Sequence, residues 1–296
     1  MIVVPAPASR VLGLKIAELS RVKAVEVESK FFPDGETYLR FTEDPKGEEV
    51  VIVQSTYPPQ DTHLLQLLLL ADNAVRLGAK PITAVVPYLA YSRQDKAFRP
   101  YEAVSIKTIL KLFESCGINR LITFNIHEPS VLRDTRFKVE NLSAVPNLID
   151  YLRGLGLEGA VAFAPDEKAV KMAREAGGAL GGGYGWFTKK RDRITGEIEM
   201  TPESEVNVKG KDTVIIDDII SSGSTTATAV RMLKAQGAKR VYAACVHPLL
   251  APGAYERIMR AGAEALIGTD TIPCEASQVT VAPTIADYLQ GSLNPD

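Results

Sequence analysis

The sequence is short of cysteine, histidine and tryptophan, with three, three and one among 296 residues. Cys116, Cys245 and Cys274 stand far apart, so they offer neither zinc-site spacing nor a disulfide framework. That usage favours a reducing compartment. An excess of positive charge is missing too. Lys and Arg number 34 against 36 Asp and Glu, for a formal net charge of −2. A broadly basic nucleic-acid surface is thereby excluded, and any anion site has to be local. Long apolar runs are also absent. The richest, Leu64 to Leu70, is interrupted by Gln66 and followed by Asp72-Asn73. It falls far below the roughly 20 residues that a membrane span needs. The opening Met1-Ile2-Val3-Val4-Pro5 has no basic n-region and too short an apolar run for a signal peptide. A soluble cytoplasmic protein is expected, without nucleic-acid or membrane partners. The length and 46% hydrophobic content suit two domains with large cores.

What is present is organised around Thr213 to Thr225. Val214, Ile215 and Ile216 are consecutive β-branched residues, as in a strand covered on both faces. Asp217 and Asp218 follow at its carboxyl end, where ligands of open α/β sheets bind. Ser221-Ser222-Gly223-Ser224-Thr225 is a small, polar loop leading into a helix. Such a loop turns backbone N–H groups toward a phosphate, and the helix dipole adds to the attraction. Two carboxylates repel phosphate but accept hydrogen bonds from vicinal hydroxyls. Together these features suggest a sugar phosphate, against the plainer reading of a strand–turn–helix with a solvated Asp pair and a Ser cap.

The rest of the chain alternates strand and helix. Ile2–Val4, Val50–Val53, Ile82–Val86 and Leu121–Phe124 read as buried strands. Arg10–Ser20, Asp61–Leu77 and Glu102–Cys116 read as helices, with His63 as a surface residue. Phe31-Phe32-Pro33-Asp34-Gly35-Glu36 is a turn between two strand-like runs. Tyr91-Ser92-Arg93-Gln94-Asp95-Lys96 is a charged loop past a strand end, placed for an anion or simply solvated. His127 follows the Leu121–Phe124 strand, where a lone His is more often structural. After Asn141–Pro146 the alternation restarts with Ala160–Phe163 and a helix from Lys168. Asp166 before that helix reads as a cap or a cation ligand. Thr188-Lys189-Lys190-Arg191-Asp192-Arg193 reads as an exposed hairpin tip, and His247 ends a strand at Arg240–Val246.

The Asp217–Thr225 stretch resembles the ribose-5-phosphate signature of phosphoribosyltransferases and of ribose-phosphate pyrophosphokinases (PRPP synthetases). Ser221 stands where the common pattern has Asp, and Ser224 where it has Gly. Four more stretches resemble the synthetases in the same order along the chain: Phe32–Glu36, Tyr91–Lys96, Asn125–His127 and Ala164–Asp166. The Lys189–Arg191 run is similar to their catalytic loop. The resemblance implies a fold of two phosphoribosyltransferase-like (type I) α/β domains, each a mainly parallel sheet flanked by helices, with the active site between them. Their expected bounds are 1–144 for the ATP elements and 145–281 for the ribose-5-phosphate, pyrophosphate and catalytic loops. Residues 282–296 would form a helix and tail packing toward the first domain.

The implied activity is a ribose-phosphate diphosphokinase, making PRPP and AMP from ATP and ribose 5-phosphate for nucleotide biosynthesis. Phe32, Asp34, Glu36, Arg93, Gln94, Asp95 and His127 would bind ATP. Asp217, Asp218, Ser221, Ser222, Gly223, Ser224 and Thr225 would bind ribose 5-phosphate. Lys189 and Arg191 would be catalytic, and His127 and Asp166 would meet the Mg²⁺ cofactor. A homodimer or larger homo-oligomer with the ATP site at a subunit interface is implied as well. The alternatives are a type I phosphoribosyltransferase and a non-catalytic synthetase-associated regulatory protein.

Overall fold

The computed structural model describes residues 1–133, 135–191, 198–203 and 206–293. Side chains are described for all of these except 189–191, 198–200, 202–203 and 292–293. The chain divides into two compact units, Met1–Ser143 with Thr280–Asp296, and Ala144–Val279. In the first unit β1 (Ile2–Pro5) leads to α1 (Arg10–Ser20), β2 (Lys23–Ala24) and a hairpin of β3 (Val27–Phe31) and β4 (Thr37–Phe41). Next come β5 (Val50–Val53), α2 (Gln60–Arg76), β6 (Ile82–Val85), α3 (Ser105–Ser115), β7 (Ile118–Phe124) and β8 (Lys138–Leu142). Six strands form one parallel sheet in the order β2-β1-β5-β6-β7-β8.

The pattern explains the sheet. β1, β5 and β6 are buried along their whole length, as strands covered on both faces must be. α3 buries Ile106, Ile109, Leu110 and Phe113, one stripe at helical spacing. Each such side chain contributes about 1.5–3 kcal/mol when fully buried. α2 buries Leu64, Leu67 and Leu70 but leaves Leu65 and Leu69 exposed. His63, expected at the surface, is instead half-buried in the first turn of α2. Its ring lies 4.7 Å from that of Tyr57, and Nδ1 is 2.7 Å from the Tyr57 carbonyl oxygen. Burial pushes its pKa down. α3 begins at Ser105 rather than Glu102, because the Glu102 carboxylate is engaged in the preceding loop.

The second unit holds α4 (Val145–Gly154), β9 (Val161–Ala164), α5 (Val170–Leu180), β10 (Tyr184–Arg191) and β11 (Ile198–Glu203). It continues with β12 (Thr213–Ile220), α6 (Ser224–Ala235), β13 (Val241–Pro248), α7 (Ala254–Arg260), β14 (Leu266–Thr269) and β15 (Ser277–Val279). The seven strands run β11-β10-β9-β12-β13-β14-β15, parallel except for the β10–β11 pair. Phe163, Phe187, Ile215, Val230, Leu233 and Ile258 sit in its core. The last helix, α8 (Ala282–Leu293), belongs to the first unit and packs on α1. There Gln290 Nε2 donates to the Leu19 carbonyl at 3.2 Å.

Candidate functional site

In the second unit the site grows out of a difference in strand length. β12 pairs with β9 only through Ile215, but with β13 as far as Ile220. Asp217 and Asp218 therefore lie beyond the end of β9 while still held in the β13 ladder. The sequence places them at the strand's carboxyl end, and the strand runs two residues further than they do. The Asp218 backbone N–H donates to Asp217 Oδ1 at 2.9 Å. Burial is the main cause that pushes the Asp217 carboxyl well above the usual carboxylate range. The charges of Asp218 and Asp166, and a hydrogen bond to the Asp218 carboxyl, push it the same way. Three carboxyl groups from two neighbouring strand ends thus share one electrostatic environment. Asp166 also caps the 3-10 turn Glu167–Ala169, accepting from the Lys168 N–H at 3.1 Å.

The loop after β12 is anchored by backbone on the β13 side. Leu250 N–H donates to the Ile220 carbonyl at 3.1 Å, and Ala251 N–H to that of Ser221 at 3.0 Å. The Arg257 guanidinium on α7 donates to the Ser222 carbonyl. Gly223 is the N-cap of α6 in the left-handed region, with φ of 71°, and makes no side-chain cap. Ser222 Oγ lies 3.3 Å from Ser224 Oγ and 3.4 Å from the Ser224 N–H. A helix start leaves its first N–H groups without intrahelical partners, and here no acidic side chain occupies the first turn. Ser221 to Thr225 thus form a polar loop at a helix start whose first turn carries no acidic side chain.

Lys189 and Arg191 lie on β10, opposite Met200 and Ile198 of β11. Their side chains, and residues 192–197, lie outside the described set. β10 runs parallel to β9, so its carboxyl end leaves the sheet on the same edge as Asp166 and Asp217. His247 is buried, with Nδ1 3.0 Å from Thr271 Oγ1 in a hydroxyl network with Thr269.

In the first unit the expected ATP residues occupy three elements. Arg93, Gln94 and Asp95 follow β6, and His127 follows the neighbouring parallel strand β7, so both loops leave one sheet edge. The Arg93 loop is set by residues that sequence reasoning missed. Tyr88 N–H donates to Ser55 Oγ at 3.0 Å, and Ala90 N–H to Thr56 Oγ1 at 2.8 Å. Glu102 Oε2 accepts from the Phe98 N–H at 2.8 Å and the Arg99 N–H at 3.1 Å, with Gln94 Nε2 at 3.5 Å. Ahead of His127, Asn125 has φ of 36°, and Asn141 Oδ1 accepts from the Ile126 N–H at 3.0 Å. Glu128 caps the turn that follows, accepting from the Ser130 N–H at 3.2 Å. Phe32, Asp34 and Glu36 form the tip of the β3–β4 hairpin. Phe32 N–H donates to the Glu36 carbonyl at 2.8 Å, and Asp34 Oδ1 accepts from the Glu36 N–H at 3.1 Å. No signal in the sequence marks Ser55, Thr56, Glu102 or Arg257, because their partners are backbone groups distant along the chain or in a loop of undefined path.

Among the described residues no group of three His, Cys, Asp or Glu side chains is arranged to hold a metal ion by itself. None of the described helices is long and apolar enough to cross a membrane.

Residues 1–117 match the family model for the N-terminal domain of ribose phosphate pyrophosphokinase, and residues 148–262 match that for the phosphoribosyl transferase domain. The ribose-phosphate pyrophosphokinase of Saccharolobus solfataricus is 41% identical over 92% of this chain and 93% of its own length. That of Methanothermobacter thermautotrophicus is 39% identical over 96% of this chain and 98% of its own. The crystal structure of phosphoribosylpyrophosphate synthetase from Mycobacterium smegmatis superposes with a TM-score of 0.88 at 28% identity. The match covers 99% of this chain and 98% of that one.

Proposed function

The chain belongs to the ribose-phosphate pyrophosphokinase family, and from that premise we propose how its residues carry the reaction. The activity is diphosphoryl transfer from ATP to the anomeric hydroxyl of ribose 5-phosphate, giving PRPP and AMP. The observation that carries the reading is the Asp217–Asp218 pair beside the start of α6, whose N-cap is Gly223 and whose first turn has no acidic side chain. It fits hydroxyls and a phosphate held side by side. Asp217 and Asp218 bind the ribose hydroxyls. The N–H groups and hydroxyls of Ser221, Ser222, Gly223, Ser224 and Thr225 bind the 5-phosphate.

The anomeric oxygen attacks the β-phosphorus and gives its proton to Asp218 or a bound water, the bond from the β-phosphorus to the bridging α-phosphate oxygen breaks, and AMP departs. Catalysis is then mainly positioning and charge neutralisation. Lys189 and Arg191 neutralise charge on the transferring group. Phe32, Asp34 and Glu36 contact the adenine. Arg93 pairs with ATP phosphate through its guanidinium fork, with Gln94, Asp95 and His127 beside it. Arg93 and His127 are well suited to share a nucleotide phosphate chain, since their loops leave neighbouring strand ends.

Mg²⁺ is the proposed cofactor, with Asp166 and His127 as its contacts. Asp166 contributes to an electrostatic environment that already holds Asp217 up, so a cation there relieves a repulsion built into the protein. A protein-only cage is not required, because Mg²⁺ keeps waters and takes one or two carboxylates plus substrate phosphates. When bound it neutralises the phosphate oxygens. A cytoplasmic setting agrees with three free cysteines. A homodimer or larger homo-oligomer with a shared ATP site agrees with exposed Leu65 and Leu69 on α2 and exposed Phe31 and Phe32 on the hairpin.

The test is phosphorus NMR of the purified protein with ATP, Mg²⁺ and ribose 5-phosphate. AMP and PRPP should form only when the sugar phosphate is present. Intact ATP would refute the assignment, and PRPP with a panel of bases would then probe the phosphoribosyltransferase reading.

A further inference from the structure

The β3–β4 hairpin has two unlike faces. Cross-strand register puts Val27 opposite Phe41, and Ser29 opposite Leu39. Val27, Leu39 and Phe41 pack onto the core of the first unit and fix the base of the hairpin. The other face carries Glu28 opposite Arg40, and Lys30 opposite Tyr38, with Phe32 next in line two residues beyond Lys30. Glu28 and Arg40 close this face at the base with an ion pair at 2.8 Å. Above it the Phe32 and Tyr38 rings meet edge to face, with centroids 5.9 Å apart and planes at 75°. Lys30 Nζ stands 4.8 Å from the Tyr38 centroid and 5.8 Å from that of Phe32. Phe32 keeps 43% of its surface exposed, so this is an open ring face and not a satisfied core contact.

An exposed phenylalanine at a hairpin tip would ordinarily sample several rotamers, and an incoming ring would pay to fix it. Here the ring of Tyr38 and the ammonium of Lys30 restrict it beforehand. We propose that Tyr38, braced by Lys30, is a positioning residue that fixes the Phe32 ring for the nucleobase of ATP. This rests on the reading of Phe32 as the adenine contact. It adds to that reading the residues that set affinity for the base and have no part in phosphate binding. The phenol ring matters and the hydroxyl does not, because the interactions of Tyr38 with Phe32 and Lys30 are made by its ring.

The test uses the full-length protein and four substitutions, with the KM for ATP, the KM for ribose 5-phosphate, kcat, and inhibition by inorganic tripolyphosphate, which has no base. Tyr38→Leu should raise the KM for ATP about 3- to 10-fold, the range of an edge-to-face ring pair. It should leave kcat, the KM for ribose 5-phosphate and tripolyphosphate inhibition unchanged. Tyr38→Phe should restore the ATP KM. Lys30→Met, which keeps the stem and removes the charge, should raise it about 2- to 5-fold, as loss of an exposed cation–π contact implies. Phe32→Ala separates the two layers of the argument. An unchanged ATP KM in Phe32→Ala would remove the adenine reading, and the positioning role with it. A raised KM in Phe32→Ala beside an unchanged one in both Tyr38→Leu and Lys30→Met would sink the positioning role alone. An equal loss of tripolyphosphate inhibition in Tyr38→Leu would show general damage to the hairpin and would also overturn it.

Discussion

Replacing Gly223 by alanine tests whether the Ser221–Thr225 loop, proposed to bind phosphate, is held by close packing or merely by local turn preference. Gly223 has φ of 71°, where an L-residue costs roughly 1–2 kcal/mol. An added Cβ would also sit 3.0 Å from the Ala254 carbonyl oxygen and 3.0 Å from Ile258 Cδ1. The first is backbone, and the second belongs to a fully buried side chain, so neither can swing aside. Relief requires α7 to move, with overpacking of this kind adding about 1–3 kcal/mol. Gly210 supplies the control. Its φ is 72°, and nothing lies within 4 Å of an added Cβ. Gly210→Ala should therefore cost only the backbone part, while Gly223→Ala costs the sum, roughly 2–5 kcal/mol. Urea unfolding followed by Trp186, the sole tryptophan and a resident of the second unit, reports the difference. A displaced α7 also carries Arg257 away from the Ser222 carbonyl. The KM for ribose 5-phosphate should then rise about 10-fold or more, as losing one such charged contact implies, while the KM for ATP holds. Equal stability of the two variants, with an unchanged sugar-phosphate KM, would refute the packing argument.

Other perturbations separate the remaining parts. Asp217→Asn removes the carboxyl that burial and its neighbours hold up. The folded protein keeps this proton longer than the unfolded chain, so Asp217 costs stability as pH rises above the ordinary carboxyl value of 3.8. The substitution should raise the Tm of the ligand-free protein at pH 7 and leave it unchanged well below pH 3.8, while the KM for ribose 5-phosphate rises about 10-fold or more, as losing one charged hydrogen bond to its hydroxyls implies. A lower Tm at pH 7 would contradict the sign. Glu102→Ala frees the Phe98 and Arg99 amides and should raise the KM for ATP with little change in that for ribose 5-phosphate. An unaltered ATP KM would remove Glu102 from the organisation of the Arg93 loop. Lys189→Ala should lower kcat by about 10³-fold, the scale of a lost transition-state cation, with ribose 5-phosphate binding by calorimetry preserved. A parallel loss of binding would assign Lys189 to the ground state.

The sequence was most informative where composition left little choice. Val50–Val53 and Val214–Ile216 are runs that only a two-sided environment accepts, and both are buried along their length. It was least informative where a boundary depends on a distant partner. β12 continues past two aspartates, poor strand formers, because β13 pairs with it to Ile220. β15 is three residues long and joins β14 through a register shift, which no local pattern marks. α2 starts after Pro59 without a side-chain cap, and α5 is preceded by a separate 3-10 turn capped by Asp166. The candidate site divides in the same way. Short motifs nominate Asp217, Arg93 and Phe32. The groups that hold their loops, such as Ser55, Thr56 and Arg257, act on backbone groups distant in the chain, so neither residue type nor spacing singles them out.

That division has a physical origin in where the backbone is strained. Among the described residues, five that are not glycine have positive φ: Arg21, Tyr91, Tyr101, Asn125 and Leu250. Arg21 ends α1, where a left-handed residue is ordinary. The other four lie in loops that leave the carboxyl ends of β6, β7 and β13, the same sheet edges that carry Arg93, His127 and the Ser221–Thr225 loop. Each such residue costs of order 1–3 kcal/mol and persists only when its surroundings over-determine it. Tertiary hydrogen bonds beside three of them do this. Asn125 N–H reaches the Leu142 carbonyl at 3.0 Å, Leu250 N–H reaches that of Ile220 at 3.1 Å, and the Tyr91 hydroxyl is bound by Asp61. The raised Asp217 carboxyl is the electrostatic counterpart of these bends. Conflict between local preference and tertiary demand is concentrated at the edges proposed to meet phosphates and hydroxyls. Substrates or a cation bound there would recover part of that cost, so relieving it by mutation should stabilise the empty protein at the expense of turnover.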